Sequence, residues 1–340
     1  MTERVGSLRK PSLRRRENSQ LERDDFDAGP TNLDLIEPGI WLGNLTAATD
    51  VEVLSKHKIN HILTIDSCPL PTKIIMLPGV KTKFIQVTDT PREDLVSHFE
   101  EASEFIKNAQ EEGQILIHCY FGVSRSATIV IAYMMKKYQI SLDEAYERVQ
   151  AQRRFVRPNP GFMDQLRLYQ YMGWCVDRHH LQFRMFRLHI AADQVKKVKI
   201  LPQSCVDVIK PDPGLITVRP EPLVYRCRRC RRVLASASNV LPHMPKEKPL
   251  WTDERWGRPD YTDLELCRDT YFVEPLAWMQ SVTTSLQGKI SCPKCNTKLG
   301  SFSWIMGCQC PCGSKISPAF YLVPSKVDWS NMVQNVQVTV

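Results

Sequence analysis

The sequence predicts an α/β domain, in which helices flank a central sheet, followed by a smaller β-rich domain built around cysteines. Two patterns predict this architecture. Segments with strand and helix periodicity alternate over residues 32–176, as they do in a sheet covered by helices. Eight of the twelve cysteines lie between Cys227 and Cys312, several of them in close pairs. A length of 340 residues also favours two domains over one.

Residues 1–31 predict a disordered basic tail, because charged and polar residues dominate this stretch. Within it, Arg14–Arg16 fits either a nuclear import signal or a solvated basic stretch. No signal peptide is visible, and the longest apolar run, Ala127–Met135, is too short to span a bilayer. We therefore expect a protein of the nucleus and cytoplasm that has no membrane partner and whose cysteines are mostly reduced. The net charge of +8 favours acidic partners, such as phosphoproteins or RNA.

The elements of the first domain follow from local patterns. Strands are predicted where apolar and β-branched residues cluster or alternate, and helices where apolar residues recur at every third or fourth position. Ser141, with Glu144 three residues later, also matches a capping box at a helix start. The predicted strands are Ile36–Asn44, Ile59–Asp66, Thr82–Val87 and Gln114–His118, and the predicted helices are Asp50–His57, Leu95–Glu111, Ala127–Met135, Ser141–Gln152 and Pro160–Gly173.

The remaining boundaries are set by composition. Residues 177–222 predict a basic, mildly helical segment and then a linker, because residues 198–222 contain five prolines. The cysteine-rich domain is expected over residues 223–325, and residues 326–340 are expected to form a loose tail.

One stretch organises the first domain: the strand Gln114–His118 leads into a short loop, and an apolar helix follows. The backbone N–H groups of such a loop and the N-terminus of the helix converge on one point, which favours an anion. Cys119 begins the loop, where the same positive field stabilises a thiolate nucleophile. Arg125 ends it with a planar guanidinium that matches two phosphate oxygens. The alternative is a buried structural cysteine, although Gly122 and the serines beside Arg125 favour the anion site.

The segment from His118 to Ser126, His-Cys-x-x-Gly-x-x-Arg-Ser, resembles the signature loop of the cysteine-dependent protein phosphatases, and most of all that of their dual-specificity branch. The resemblance implies the fold of those enzymes for residues 32–176, with Cys119 as the nucleophile. It implies that Ser126 hydrogen-bonds the departing thiolate, unless it only caps the helix, and that His118 fixes the loop. Asn159 matches a family segment that supports the loop, or it belongs to a plain turn. The implied phosphate-binding residues are Tyr120, Phe121, Gly122, Val123, Ser124 and Arg125, of which Phe121 replaces the Ala usual in that branch.

The same resemblance places the general acid at Asp89, thirty residues before Cys119 on the loop after a predicted strand. Glu93 and Asp94 are rivals on that loop, and an Asp before Thr90-Pro91 also fits an ordinary turn. The implied reaction hydrolyses phosphotyrosine and phosphoserine or phosphothreonine in protein substrates through a phosphocysteine, with no cofactor for catalysis. Phosphoinositide and RNA 5′-phosphate substrates rank lower, because enzymes for them often carry basic residues inside this loop.

Paired cysteines predict structural zinc in the second domain. Two Cys-x2-Cys pairs and a Cys-Pro-Cys segment suit tetrahedral zinc, whereas disulfides do not fit a reducing compartment. With one further cysteine and a histidine, two four-coordinate zinc ions per chain are possible. Cys308 is then a spare, or it replaces Cys310. The predicted ligands are Cys227, Cys230, His243, Cys267, Cys292, Cys295, Cys310 and Cys312.

Short loop closures favour a local division of these ligands between the two ions. In that division the first four residues in sequence, from Cys227 to Cys267, hold one zinc, and the last four, from Cys292 to Cys312, hold the other. A crossed division remains open.

The second domain carries a narrower resemblance. Cys227–Arg232, Tyr271–Pro275, Cys292–Cys295, Leu299–Phe302 and Pro318–Phe320 are similar to segments of the zinc-binding subfamily of dual-specificity phosphatases that includes dual specificity protein phosphatase twelve and its yeast counterpart. That resemblance implies a zinc domain that binds partners and assists assembly of the large ribosomal subunit, largely independently of catalysis. The arginines around the first cysteine pair suit contact with RNA phosphates of a pre-ribosomal particle, or they compensate the thiolates: Arg226, Arg228, Arg229, Arg231 and Arg232.

Overall fold

The structure is a computed structural model that describes residues 28–215, 221–246 and 267–331. The predicted basic tail up to residue 27, with Arg14–Arg16, lies outside the described residues, as do residues 332–340. The described ranges form two units, each with its own hydrophobic core. Within these ranges no helix is both long and apolar enough to cross a membrane.

A five-stranded sheet with helices on both faces forms the first unit. Its strands are β1 (Leu33–Glu37), β2 (Ile40–Gly43), β3 (Ile59–Asp66), β4 (Lys81–Gln86) and β5 (Gln114–His118), and its helices are α1 (Leu45–Thr49), α2 (Val51–Lys56), α3 (Thr72–Ile75), α4 (Phe99–Glu112), α5 (Arg125–Tyr138), α6 (Leu142–Gln152) and α7 (Pro160–Tyr171). The strand order is β1-β2-β5-β3-β4, with only the β1–β2 pair antiparallel. Helices α4–α7 cover one face and α1–α3 the other. The predicted α/β fold class is confirmed.

One predicted strand is a hairpin. The sequence predicted a continuous strand over Ile36–Asn44, but the chain turns at Pro38-Gly39 and returns as β2. Gly39 has a φ of 90°, a conformation that glycine adopts without a steric penalty. The helix cap predicted at Ser141 is present, since its hydroxyl accepts the N–H of Glu144 at 3.2 Å.

The second unit is β-rich. It contains α8 (Leu181–Val198), β6 (Leu223–Cys227), β7 (Val233–Ser236), β8 (Tyr271–Phe272), β9 (Gln287–Ser291), β10 (Lys298–Ser303), β11 (Cys308–Gln309), β12 (Lys315–Ile316), β13 (Ala319–Leu322) and β14 (Val327–Asn331). The strands form the sheets β14-β6-β7 and β8-β13-β10-β9 and the hairpin β11-β12. Its core includes Trp304, whose ring meets that of Phe320 edge to face at 4.8 Å.

The predicted basic, mildly helical segment and the start of the predicted linker both pack on the second unit. Met185, Leu188, Ala191 and Val195 on one face of α8 are buried in its core. Residues 203–208, at the start of the predicted linker, form a turn packed on the same core rather than free chain. The predicted tail also differs, because its first residues form β14, which pairs with β6. Proline content and position along the chain were misleading here, since tertiary burial decides whether such segments are ordered.

Candidate active site and metal centres

Cys119 lies at the bottom of a cradle between β5 and α5. Its side chain is 1% exposed, and its Sγ accepts the N–H of Gly122 at 3.2 Å and the hydroxyl of Ser126 at 3.1 Å. The N-terminus of α5, a helix of 14 residues, begins directly after the loop at Arg125. Two hydrogen-bond donors and a helix N-terminus favour a thiolate at this position.

The loop between Cys119 and Arg125, which we call the phosphate loop, is held by its carbonyl groups. The oxygen of Tyr120 accepts the N–H of Leu45 at 3.0 Å, and that of Val123 accepts the N–H of Arg157 at 2.9 Å. The carbonyls between them are bound by a buried arginine described below. A planar trans peptide directs its N–H opposite to its C=O. Four carbonyls turned towards the scaffold therefore turn the next four N–H groups towards the anion site.

Gly122 is required by the close packing of this loop. Its φ is 68°, and a Cβ at this position would lie 2.3 Å from the carbonyl oxygen of Gly43. A larger residue would therefore be strained in conformation and would also collide with the backbone.

Arg153 supports the phosphate loop from behind, and sequence reasoning missed it. Its Nε donates to the carbonyl of Gly122 at 2.9 Å and its Nη2 to that of Phe121 at 3.4 Å. Its Nη1 meets Asn32 at 2.5 Å and Asp34 at 2.6 Å. Burial lowers the pKa of this guanidinium, and the hydrogen bond and charge of Asp34 oppose that effect. In the sequence it sits in a charged stretch, where nothing distinguishes it from a surface arginine.

Arg125 is aimed into the cradle by a carboxylate that the sequence did not indicate. Its Nη1 donates to Asp66, at the end of β3, at 2.7 Å and to the carbonyl of Val87 at 3.3 Å. Its Nε is buried and has no hydrogen-bond partner among the described residues. An arginine fixed on one edge, with a buried donor left over on the other, fits an oxyanion bound in the loop.

Asp89 is attached directly to the phosphate loop. One of its carboxylate oxygens accepts the hydroxyl of Ser124 and the side-chain amide of Asn159, both at 2.8 Å. The backbone N–H of Asn159 in turn donates to the Ser124 hydroxyl at 3.2 Å. The second oxygen of Asp89 lies 3.8 Å from Nε of Arg125. Asn159 therefore joins the loop of the predicted acid to the phosphate loop, and it also caps α7.

The two rivals for the acid role point elsewhere. The side chain of Asp94 pairs with Arg187 and caps the next turn at Ser97. Glu93 bonds to the hydroxyl of Thr88 on its own loop. Of the three carboxylates, only Asp89 contacts the phosphate loop in these bonds.

His118 is buried behind the nucleophile. Its Nε2 lies 2.8 Å from the hydroxyl of Thr64, and its Nδ1 lies 3.3 Å from the carbonyl oxygen of Cys119. The carbonyl only accepts, so Nδ1 carries the hydrogen of that contact. Phe121 differs from the rest of the loop, because its ring is 58% exposed and stands edge to face against Tyr120 at 4.7 Å.

Comparison with known proteins identifies this arrangement. A family profile described as the catalytic domain of dual specificity phosphatases matches residues 40–172. Dual specificity protein phosphatase MPK-4 of Drosophila melanogaster is 45% identical, covering 94% of this chain and 93% of that protein. The chain belongs to the dual-specificity protein phosphatases. Human dual specificity protein phosphatase 12 is 35% identical over 86% of this phosphatase and 87% of its own length.

The resemblance to the zinc-binding subfamily is therefore confirmed. Tyrosine-protein phosphatase YVH1 of Saccharomyces cerevisiae is 28% identical, covering 85% of this chain and 89% of that protein. These matches extend well beyond residues 40–172, so this phosphatase shares its second unit with them as well as its catalytic domain. The chain is thus a protein phosphatase and a hydrolase.

All eight predicted metal ligands of the phosphatase fall into two clusters. The first cluster is Cys227, Cys230, Cys292 and Cys295, and the second is His243, Cys267, Cys310 and Cys312. Within each cluster the ligand atoms lie within 4.8 Å of one another. Three sulfur pairs are separated by 3.5 to 3.7 Å. Four sulfurs placed about 2.3 Å from one zinc ion in a tetrahedron are roughly 3.8 Å apart, so both clusters fit a tetrahedral metal.

His243, in the second cluster, gives an independent test of this fit. The side chain is buried, and its Nε2 has no hydrogen-bond partner in the part of the chain that the structure describes. Burial also lowers the pKa of the imidazole, which keeps it neutral. A neutral, buried and otherwise unpaired ring nitrogen is what a metal ligand requires. Cys308 belongs to neither cluster, so Cys310 is the better ligand of the two.

The first cluster is built from two turns with the same backbone geometry. The N–H of Arg231 donates to the carbonyl of Cys227 at 2.8 Å, and that of Asn296 to Cys292 at 2.9 Å. Arg231 and Asn296 both have a positive φ, of 64° and 56°. Hydrogen bonds with Thr297 lower the pKa of the Cys295 thiol, whereas burial raises the pKa of Cys292 in the same cluster.

The local division of ligands predicted from loop closure is wrong. Each cluster instead combines an early pair with a late pair, so the two sets are crossed along the chain. The entropy of closing a loop rises by only about 0.6 kcal/mol for each doubling of its length. Strand pairing and core packing of the second unit are larger than this difference, and they bring the pair at Cys227 against the pair at Cys292.

Proposed function

We propose that this phosphatase hydrolyses phosphotyrosine and phosphoserine or phosphothreonine in proteins through a phosphocysteine. The Cys119 thiolate attacks phosphorus, so that an S–P bond forms while the ester P–O bond breaks. Asp89 gives its proton to the departing oxygen. Water then attacks phosphorus, Asp89 takes up its proton, and the S–P bond breaks to release phosphate and thiolate. Arg125 and the loop N–H groups hold the three equatorial oxygens throughout.

The observation that carries this proposal is the bond between Asp89 and Ser124. This bond holds the proposed acid against the loop that surrounds the nucleophile. Asp89 and Cys119 are therefore placed to act on the same bound phosphate. Ser126 supports the leaving step, because its hydroxyl is already directed at Sγ and stabilises the thiolate as it departs. His118 acts as a structural support for Cys119 and takes no part in proton transfer.

Two variants test the proposal on an aryl phosphate. We expect Cys119→Ser to abolish turnover, because its hydroxyl remains protonated. We expect Asp89→Asn to lower kcat by about 10²–10⁴-fold and to remove the dependence on a protonated acid from the pH profile. Retained activity in Cys119→Ser would refute the covalent mechanism. An Asp89→Asn variant that behaves like wild type would show that the acid is misassigned.

We also propose that both metal centres hold zinc and that the second unit binds partners. Thiolate-rich tetrahedral sites suit zinc, and their role here is structural. Arg228 and Arg231 are both more than half exposed, yet both pair with the single carboxylate of Asp328. Arg232, in contrast, is largely buried against Asp212, which makes it part of the fold. The exposed arginines therefore leave positive charge available for an RNA phosphate.

A second candidate function follows from that surface: assembly of the large ribosomal subunit, with catalysis secondary. A separation-of-function experiment distinguishes the two. Cells lacking the protein would receive either the Cys119→Ser chain or a chain in which Arg228, Arg229 and Arg231 are changed to Ala. Rescue of ribosomal subunit levels by the first chain and not by the second would support assembly. The reverse result would support catalysis as the cellular role.

For the location in the cell we propose the nucleus and cytoplasm, on the basis of Arg14–Arg16. A fluorescent fusion with these arginines changed to Ala should shift towards the cytoplasm. An unchanged distribution would refute the import role.

A further inference from the structure

The loop that carries Asp89, residues 88–95, is held at both ends, and we call it the acid loop. Its first part is bound to the phosphate loop through Asp89. Its last part is bound to α7, where Gln165 accepts the N–H groups of Leu95 and Val96, both at 2.8 Å, and donates to the carbonyl of Glu93 at 2.8 Å. Between these attachments, the side chain of Asp94 points away from the first unit and contacts the second.

Asp94 is paired with an arginine of the second unit. Arg187, on α8, donates through Nη1 to the Asp94 carboxylate. The opposite edge of the same guanidinium donates to Asp207 at 3.0 Å from Nε and 2.6 Å from Nη2, and to the carbonyl of Ser204 at 3.2 Å. The side chains are only 14% exposed for Arg187 and 12% for Asp94. One largely buried guanidinium therefore joins the acid loop to the turn at residues 203–208.

The surroundings of Arg187 keep its guanidinium protonated and its helix fixed. Burial alone lowers the pKa of this group, but the hydrogen bonds to Asp207 and the charge of Asp94 raise it well above its usual range. Its helix is fixed from the other side, because Leu188 and Ala191 are buried in the core of the second unit. A second bridge, between Arg92 and Asp193, is exposed at the arginine and contributes little on its own.

Asp94 also organises the loop itself. Its two oxygens accept the N–H of Ser97 at 3.1 Å and its hydroxyl at 2.7 Å, which starts the turn into α4. Removal of Arg187 would leave the largely buried Asp94 carboxylate, and the Asp207 carboxylate that shares this guanidinium, without their common opposing charge. The repulsion and the desolvation cost would favour a conformation in which Asp94 turns to solvent. The four residues between Asp89 and Asp94 would then lose one of their attachments, so Asp89 would move away from the phosphate loop more readily.

We propose that Arg187 is a positioning residue for proton transfer, holding the acid loop from α8 so that Asp89 stays bound across the phosphate loop. The proposal rests on the role of Asp89 as the general acid. It makes the second unit part of the catalytic apparatus without contributing any group that touches the substrate.

The test uses the leaving group as a reporter of acid catalysis. An activated aryl phosphate releases a weakly basic phenolate and needs little protonation, whereas phenyl phosphate releases a strongly basic one and needs the acid. We expect Arg187→Ala to lower kcat/KM on phenyl phosphate by about 5- to 150-fold, the usual range of coupling between distant sites. On the activated ester kcat/KM should change by less than about 3-fold, well below that coupling range. Arg187→Lys, which keeps a charge near Asp94, should recover part of the loss.

Arg184 supplies a matched control on the same helix. Its side chain is 15% exposed and pairs with Glu274 at 2.7 Å and the carbonyl of Ser238, both in the second unit. Arg184→Ala should therefore destabilise the second unit without changing the ratio between the two esters. Equal ratios in Arg187→Ala and Arg184→Ala would overturn the proposal.

Two further variants separate the possible failures. Asp89→Asn, measured in parallel, should show the largest dependence on the leaving group. If Asp89→Asn shows no dependence on the leaving group, the proposed acid is wrong. If Asp89→Asn shows this dependence and Arg187→Ala does not, only the positioning role of Arg187 is refuted. Should Arg187→Ala fail to fold, Asp94→Asn decides: the same selective loss on phenyl phosphate supports the proposal, and a wild-type ratio contradicts it.

Discussion

Arg153 is expected to be a main support of the phosphate loop, and Arg153→Met measures its contribution. The side chain is fully buried, so methionine keeps the apolar stem and removes every donor. The carbonyl of Gly122 then loses its 2.9 Å bond, which costs about 1–3 kcal/mol for a buried acceptor. The lost pair with Asp34 adds about 0–1 kcal/mol, because that carboxylate is 37% exposed and can be solvated again. The expected loss of unfolding free energy is therefore about 1–4 kcal/mol.

The activity should fall for a related reason. Without Arg153 the carbonyls of Phe121 and Gly122 can rotate, and the N–H groups of the same peptides turn away from the phosphate. We expect kcat/KM to fall at least about 10-fold, short of the 10²–10³-fold typical of removing an oxyanion donor outright. Competitive inhibition by vanadate should weaken in parallel.

Urea unfolding and steady-state kinetics on the full chain would provide both measurements. Arg148→Met is the control, since Arg148 lies on α6, which ends directly before Arg153, but is 45% exposed and contacts Glu144 and the ring of Tyr138 rather than the phosphate loop. It should change stability by no more than about 0.5 kcal/mol. If Arg153→Met matched this control in stability and in vanadate inhibition, the support assigned to Arg153 would be refuted.

Three further predictions concern packing, pH and metal. Gly161→Ala places a Cβ 1.9 Å from the carbonyl oxygen of Pro91 on the acid loop. We expect it to destabilise the chain by about 1–3 kcal/mol and to slow turnover of phenyl phosphate. A wild-type urea midpoint would contradict this prediction. Burial lowers the pKa of His61 below 6.5, so below that pH the unfolded chain binds a proton that the folded chain does not, and stability falls as pH falls. His61→Gln should therefore lose less stability than wild type between pH 7 and pH 5, and equal losses in urea midpoint would contradict the assignment. A chelator should unfold residues 223–331 while leaving activity on an activated aryl phosphate largely intact. Metal analysis should give about two zinc ions per chain. An unaltered melting profile in chelator, with no bound metal, would refute the zinc assignment.

The sequence was most informative where the pattern is local. The strand over Ile59–Asp66 and the strand into Cys119 have the predicted bounds, because each is a compact apolar run ended by a turn. The signature loop indicated Cys119 and Arg125 for the same reason, since its chemistry is contained in nine consecutive residues. The Cys-x2-Cys pairs were equally visible.

The residues that position the catalytic groups could not be predicted from the sequence. Each is far from the signature loop along the chain, and each is a residue type that is common at its kind of position. Asp66 reads as the end of a strand, Arg153 as a surface arginine, and Gln165 as a polar residue on an amphipathic helix. Arg187 lies in a segment that composition described only as basic and mildly helical. Each of these acquires its role only when folding brings it to the active site across 59 residues for Asp66 and 93 for Arg187.

The crossed metal clusters have a consequence for how the second unit is made. One cluster spans Cys227 to Cys295 and the other His243 to Cys312, so each opens before the other closes. During synthesis, neither set of four ligands is complete until the chain has passed Cys295, by which point half of the other set has also emerged. The first site therefore cannot be completed before part of the second site has been made. The two ions should be acquired late and nearly together, and a nascent chain stalled between these cysteines would present two unfinished, thiol-rich sites to competing metals or oxidants.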